Sequence, residues 1–296
     1  MKKIGYTILA ISALLISLFS NFDKMKLSPL ITGEEFLNSQ PYITIGDVVL
    51  TQPSSTLIVY ILGVFIILLG VRFLIKKQDH VSRKWWGFSM IFWGAGAIFA
   101  GTSYQAFGYQ LKCVGVEYCN FTDWWEIMYL LLTAISIGML VIAMSHCVAG
   151  GKTRRVMKLI TYISIPLYAA ILTIGSIVPI KLMITYELFC VFFMPHFVVF
   201  FLLSIKEYRI KRDIMNKRFI ITWILFLISN VAYYVYYWLG ISEKLLNSTG
   251  IWFNQNDVLH VLLLGWMIYI WITLPNVIVD IKEEILDVEI GLKTQD

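Results

Sequence analysis

The sequence predicts an all-α integral membrane protein: a seven-helix transmembrane bundle preceded by a signal peptide or an eighth helix. Three observations carry this reading. Apolar residues make up 58% of the 296 positions and charged residues only 15%, well outside the usual composition of soluble domains. Seven stretches, 57–75, 85–107, 124–149, 159–180, 182–205, 219–240 and 258–279, are apolar over about the 20 residues that a bilayer-crossing helix needs. Lysine and arginine alternate between the loops on the two sides. The same composition excludes the function classes that need a soluble basic surface, nucleic-acid binding first among them.

The charge pattern sets the orientation. The loops 72–84, 152–158 and 206–218 carry five, four and six Lys or Arg, and with Lys2, Lys3, Lys282 and Lys293 one side holds 19 of the 24. The other side holds Lys24, Lys26, Lys112, Lys181 and Lys244. The basic side is therefore expected in the cytoplasm, with residues 21–56 outside and the C-terminus inside, as in a plasma (inner) membrane protein. Net charge of +5 then reflects threading and some attraction to anionic lipid. Lipid is the expected partner, and nucleic acid is not.

Along the chain, 1–20 pairs two lysines with an apolar run at 4–20 that is long for a signal-peptide core and short for a span. Residues 21–56 form an outer-face segment whose "PYITIGDVVLTQP" reads as extended between two prolines. The membrane domain occupies 57–279. In it, "GAGAIFAG" places Gly94 and Gly101 on one stripe for close helix approach, and Pro166, Pro195 and Pro275 each predict a bend. Trp124, Trp125 and the "YYVYYW" run at 233–238 read as interface anchors. The cytoplasmic tail, 280–296, spaces Ile281, Ile285, Val288 and Leu292 as a short amphipathic helix.

The outer loop "QLKCVGVEYCNFT" brings Cys113 and Cys119 within reach of a disulfide worth about 2 to 3 kcal/mol in an oxidising compartment. "NFT" at Asn120 and "NST" at Asn247 match the glycosylation acceptor pattern.

Ionisable groups inside spans are costly, so each is a candidate for function. At about 1.5 Å per residue, Glu126 and His260 lie about 3 Å inside the outer end of their helices and Glu187 about 8 Å inside its own. Ser103 and Gln105 end an outward-running helix at a similar level, Asn230 lies deeper, and His196 deeper still. Asn256, Asp257 and His260 share one helix face, as do Asp123 and Glu126. Two uses are open. Ser103, Gln105, Glu187, Asn230, Asn256 and Asp257 suit a polar pocket in the outer leaflet for a lipid headgroup or small amphiphile. His260, Asp123 and Glu126 suit catalysis, with His260 and Asp257 as metal ligands, because carboxylate neighbours fix the imidazole tautomer and raise its basicity. A third use, a proton path through Glu187, Asn230 and His196, would make a transporter. Asp123 and Asp257 also suit plain helix caps.

The segments "GTSYQAFGYQL", "TDWWEIMYLLLTAIS" and "NDVLH" resemble the layout of the alkaline ceramidase and adiponectin-receptor superfamily. That resemblance, over 57–279, implies seven helices, zinc and hydrolysis of lipid amides. The family's Ser and His on the second helix fall here on Gly101 and Gln105, its Asp on Asp123, and its last-helix His pair on Asn256 and His260. Only Asp123 and His260 keep a matching residue type, and neutral Asn or Gln ligates zinc poorly.

Overall fold

In the computed structural model, residues 2–75 and 80–281 are described. Lys76, Lys77 and the tail beyond Ile281, with its expected amphipathic helix, lie outside them. The chain opens with α1 (Lys2–Phe19), a short 3₁₀ turn at Phe22–Lys24 and α2 (Gly33–Asn38). Thr32 and Glu35 cap α2 reciprocally, satisfying two of its free amides. The expected extended stretch is an antiparallel hairpin of β1 (Tyr42–Ile45) and β2 (Val48–Thr51), paired Tyr42 to Thr51 and Ile45 to Val48. Its two-residue turn begins at Gly46, where φ of +61° reverses the chain without Cβ strain.

The bundle proper follows: α3 (Pro53–Ile75), α4 (Val81–Gly101), a π-turn at Thr102–Ala106, α5 (Gly108–Lys112), α6 (Trp124–Val148), α7 (Gly151–Ile177), a 3₁₀ turn at Lys181–Ile184, α8 (Tyr186–Lys211), α9 (Ile214–Trp238), α10 (Ile241–Thr249) and α11 (Gln255–Thr273). Among the described residues six of these, α3, α6, α7, α8, α9 and α11, are long and apolar enough to cross a membrane. The chain is therefore an all-α, multi-pass membrane protein. The helix over the predicted 85–107 stretch, α4, falls short of that hydropathy because Trp85, Trp86, Trp93 and four glycines dilute it. It nevertheless runs antiparallel to α3 along that helix's whole length. Cβ atoms placed at Gly87 and Gly94 would lie 2.9 and 2.5 Å from the carbonyl oxygens of Gly70 and Gly63, and Gly101 meets Val59. This bears out the close approach expected from "GAGAIFAG". Ser89 and Ser136 tie α4 to α6 on its other side, at 2.8 to 3.1 Å.

One boundary differs from the sequence expectation with a clear local cause. The last helix stops at Thr273 instead of reaching 279, because Pro275 has no amide to continue the ladder. It therefore ends α11 where a bend was expected. Pro166 and Pro195 do lie inside helices, α7 and α8.

The N-terminal helix α1 joins the bundle. Its end docks on α7 through Asn21, whose backbone and side-chain amides donate to Ser176 and Ile177 carbonyls at 2.9 and 2.6 Å, and on α6 through Trp124 donating to Ser17 Oγ at 2.9 Å.

At the basic end, three arginines close helix termini. Arg154 donates to the Ser145, Ala149 and Ile281 carbonyls at 3.0 to 3.2 Å. Arg83 donates to Ile278 O at 3.1 Å and Arg218 to Thr273 O. Buried carbonyls past the ends of α6 and α11 thus acquire charged donors.

Candidate functional site

At the other end, where the hairpin and the disulfide loop lie, the helices enclose a cavity of about 380 Å³. Gln105, Glu187, Asn230, Asn256 and His260, five of the residues singled out in the sequence, line it together. They come from the π-turn, α8, α9 and α11, and Asn230, expected deeper than the other four, lines the same cavity with them. Regular spacing aims them. Asn256 and His260 are one turn apart on α11, and Asn230, Tyr233 and Tyr234 share a face of α9. The π-turn, in which Phe107 N reaches back to Thr102 O at 2.9 Å, shifts the helical phase at Gln105. Such one-turn bulges recur at functional sites.

Ten of the 25 residues in the wall are Phe, Tyr or Trp. Phe189, Phe193 and Phe197 line it from α8, Trp93 from α4 and Phe226 from α9. Phe197 and Phe226 stack at 4.6 Å, and below them Trp223, Trp266, Trp86 and Phe219 continue the stack at 4.9 to 6.2 Å between centroids. Those four rings lie outside the cavity lining, in the core of the bundle. The cavity runs from the first turn of α8 to about 16 Å down it, with Tyr186, Glu187 and Tyr234 exposed at its mouth. A volume within the range of ligand pockets, apolar walls and a few convergent polar groups make this the default binding site of the chain.

Two polar atoms inside have no protein partner. Gln105 is 3% exposed, and its Oε1 makes no hydrogen bond; neither does His260 Nδ1. Buried polar atoms are nearly always satisfied, so these two mark where a ligand's donors or water would be received.

Four expected site residues are placed elsewhere. Asp123 Oδ1 caps α6 by accepting from Glu126 N at 3.1 Å, and its Oδ2 accepts from Ser103 Oγ at 2.5 Å. Asp257 closes a capping box at α11, accepting from Asn254 N at 2.8 Å while Asn254 accepts from Asp257 N. Glu126 forms a buried ion pair with Lys112 at 2.6 Å and accepts a hydrogen bond from Tyr104 Oη. These carboxylates hold the rim instead of lining the cavity, so of the expected catalytic and metal set only His260 reaches it. Among the described residues no group of three or more His, Cys, Asp or Glu is disposed to hold a metal ion. Of the cavity's lining, Glu187, Cys190 and His260 could ligate zinc but are not grouped to do so, and Gln105 and Asn256 are poor donors, so the implied zinc does not fit here. His196 is not among the lining residues either; its Nδ1 sits 3.3 Å from Phe193 O.

Cys113 and Cys119 are bonded as expected. Asn120, in the first acceptor pattern, is 6% exposed and held by Lys26 Nζ at 2.8 Å and Asp23 at 3.2 Å, out of reach of a glycosylating enzyme. The hairpin base is fastened over the site: Thr51 Oγ1 donates to Gln105 O, and Gln52 Oε1 accepts from the α11 cap Asn254 at 3.1 Å.

Lys112, Tyr104 and the tyrosines of α8 and α9 were not picked out in the sequence. Lys112 read as a loop cation and the tyrosines as interface anchors. The three- and four-residue spacing of Asn230, Tyr233 and Tyr234 was the available signal for the latter. No family model, curated protein or solved structure matches this chain, so its functional reading rests on the cavity itself.

Proposed function

We propose that this multi-pass membrane protein binds or senses a lipid or small amphiphile in the cavity under the hairpin, with the disulfide end outside and the basic end cytoplasmic. The single observation that carries the reading is one aromatic-walled cavity of about 380 Å³ into which Gln105, Glu187, Asn230, Asn256 and His260 converge. The orientation is supported by the Lys and Arg asymmetry and by a disulfide, which persists in oxidising compartments. Hydrolysis gains no support, because Asp123 and Glu126 are engaged in a cap and an ion pair. Transport gains none, because His196, the deepest of the three residues expected on its path, is not among those that line the cavity.

The test is mass spectrometry of lipids and amphiphiles extracted from purified wild type beside Ala100→Trp, which fills the cavity from its α4 wall. A species retained by the wild type and lost from a folded Ala100→Trp variant is expected. Identical extracts from both would overturn the reading.

A further inference from the structure

The cavity's charge and its tyrosines specify the ligand's head. Among the residues that line it there is no Lys and no Arg, and the one charged group is the carboxylate of Glu187 at the mouth. A phosphate, sulfate or carboxylate head would enter without a counter-charge and beside a like one. Around Glu187 the wall changes from phenylalanine to tyrosine. Tyr186, Tyr233 and Tyr234 all line the cavity. The rings of Tyr233 and Tyr234 stand perpendicular, 87° apart with centroids at 5.1 Å, presenting two walls of a box. Glu187 and the three tyrosines line the same cavity, from α8 and α9. Aromatic faces set at angles around a carboxylate are the chemistry that receives an ammonium group, through the negative faces of the rings. A quaternary ammonium head, which has no N–H donors and is weakly hydrated, demands no hydrogen-bonding shell there.

Depth agrees with this. Tyr186 and Glu187 occupy the first turn of α8, and Tyr233 and Tyr234 lie about 6 to 8 Å inside the Trp238 end of α9, the level at which an amphiphile's head meets its tail. From there Phe189, Phe193 and Phe197 descend on one face of α8, a track for one apolar limb. Interface tyrosines elsewhere in the chain, such as Tyr237, face outward and do not line the cavity.

We propose that the cavity takes a single-chain amphiphile with a cationic, alkylammonium head, held by Glu187 and the Tyr186, Tyr233 and Tyr234 box, its tail along the phenylalanines of α8. This rests on the binding reading above. The experiment measures binding of dodecyltrimethylammonium, dodecyl sulfate and dodecanol to the full chain in lipid nanodiscs, by quenching of tryptophan fluorescence. The expected result is that the cation binds at least tenfold more tightly than the alcohol and the sulfate least. Glu187→Gln and Tyr234→Leu should each lower cation affinity about tenfold and leave the alcohol unchanged, while Tyr234→Phe keeps the preference because the ring face is retained. Equal affinity for cation and alcohol, both lost in Ala100→Trp, would overturn the cationic head and leave the binding reading standing. Binding insensitive to Ala100→Trp for every probe would overturn both. A folded Glu187→Gln variant that keeps the full cation preference would remove Glu187 and sink the proposal as stated.

Discussion

Removing Lys112 should be costly to this fold. Its Nζ lies 2.6 Å from Glu126 Oε2, the two side chains are 8% and 6% exposed, and the ammonium sits over the Tyr104 ring at 4.8 Å. Replacing Lys112 with Met keeps its bulk but leaves the Glu126 carboxylate buried with only Tyr104 as a donor from a side chain. Breaking a buried pair by removing one partner costs about 3 to 5 kcal/mol, because an uncompensated charge stays behind, whereas replacing both partners by apolar groups is often close to neutral. Lys112→Met should therefore lose about 3 to 5 kcal/mol in reversible unfolding from detergent micelles, and Lys112→Met with Glu126→Leu should recover most of it. Tyr104 lines the cavity and hangs from Glu126, so the single variant should also bind the cavity's ligand more weakly. A loss below about 1 kcal/mol for Lys112→Met, or a double variant no more stable than the single, would refute the account of the pair as a mutually dependent charge couple.

Two further outcomes follow from the packing and from Asp280. Gly94→Ala would place a Cβ 2.5 Å from Gly63 O, between backbones that cannot yield, and should cost about 1 to 3 kcal/mol by thermal unfolding. Gly265→Ala, with nothing within 4 Å, should be neutral or slightly stabilising, and similar losses for both would refute the close-approach argument. Asp280 accepts from Val81 N and Ser82 N at 2.7 and 3.0 Å, capping α4 from across the bundle. Burial pushes its carboxyl upward, but the hydrogen bonds from the Val81 and Ser82 amides, with the Ser82 hydroxyl and His146 close by, outweigh burial and hold it below the ordinary range. Its stabilisation is thus complete above the unfolded value of about 3.9 and is lost as pH falls through the lower folded one. Asp280→Asn should cost about 1 kcal/mol at neutral pH and flatten the loss of stability below about pH 4. An unchanged acid profile would refute the role.

Much of the bundle was legible without coordinates. Hydrophobic runs as long as a bilayer is thick admit few alternatives to a helix, because unpaired backbone amides are prohibitive in lipid. The seven stretches accordingly reappear as helices, with the Cys113 and Cys119 bond between two of them. The glycines of α4 announced a close contact because a missing side chain has little other use on a lipid-sized helix. Local spacing also carried part of the site, since Asn256 and His260 share a face wherever α11 lies.

What the sequence could not determine was helix order and rotation, which depend on the sum of side-chain contacts across the whole bundle. That sum turned Gln105 into the cavity by a π-turn and turned Asp123, Glu126 and Asp257 away into caps and an ion pair. It also made partners of Lys112 and Glu126, 14 positions apart, and brought Tyr186 to Tyr233 and Tyr234 across two helices. A carboxylate at a helix start reads the same whether it caps, pairs or binds. Only the neighbours that packing supplies decide which.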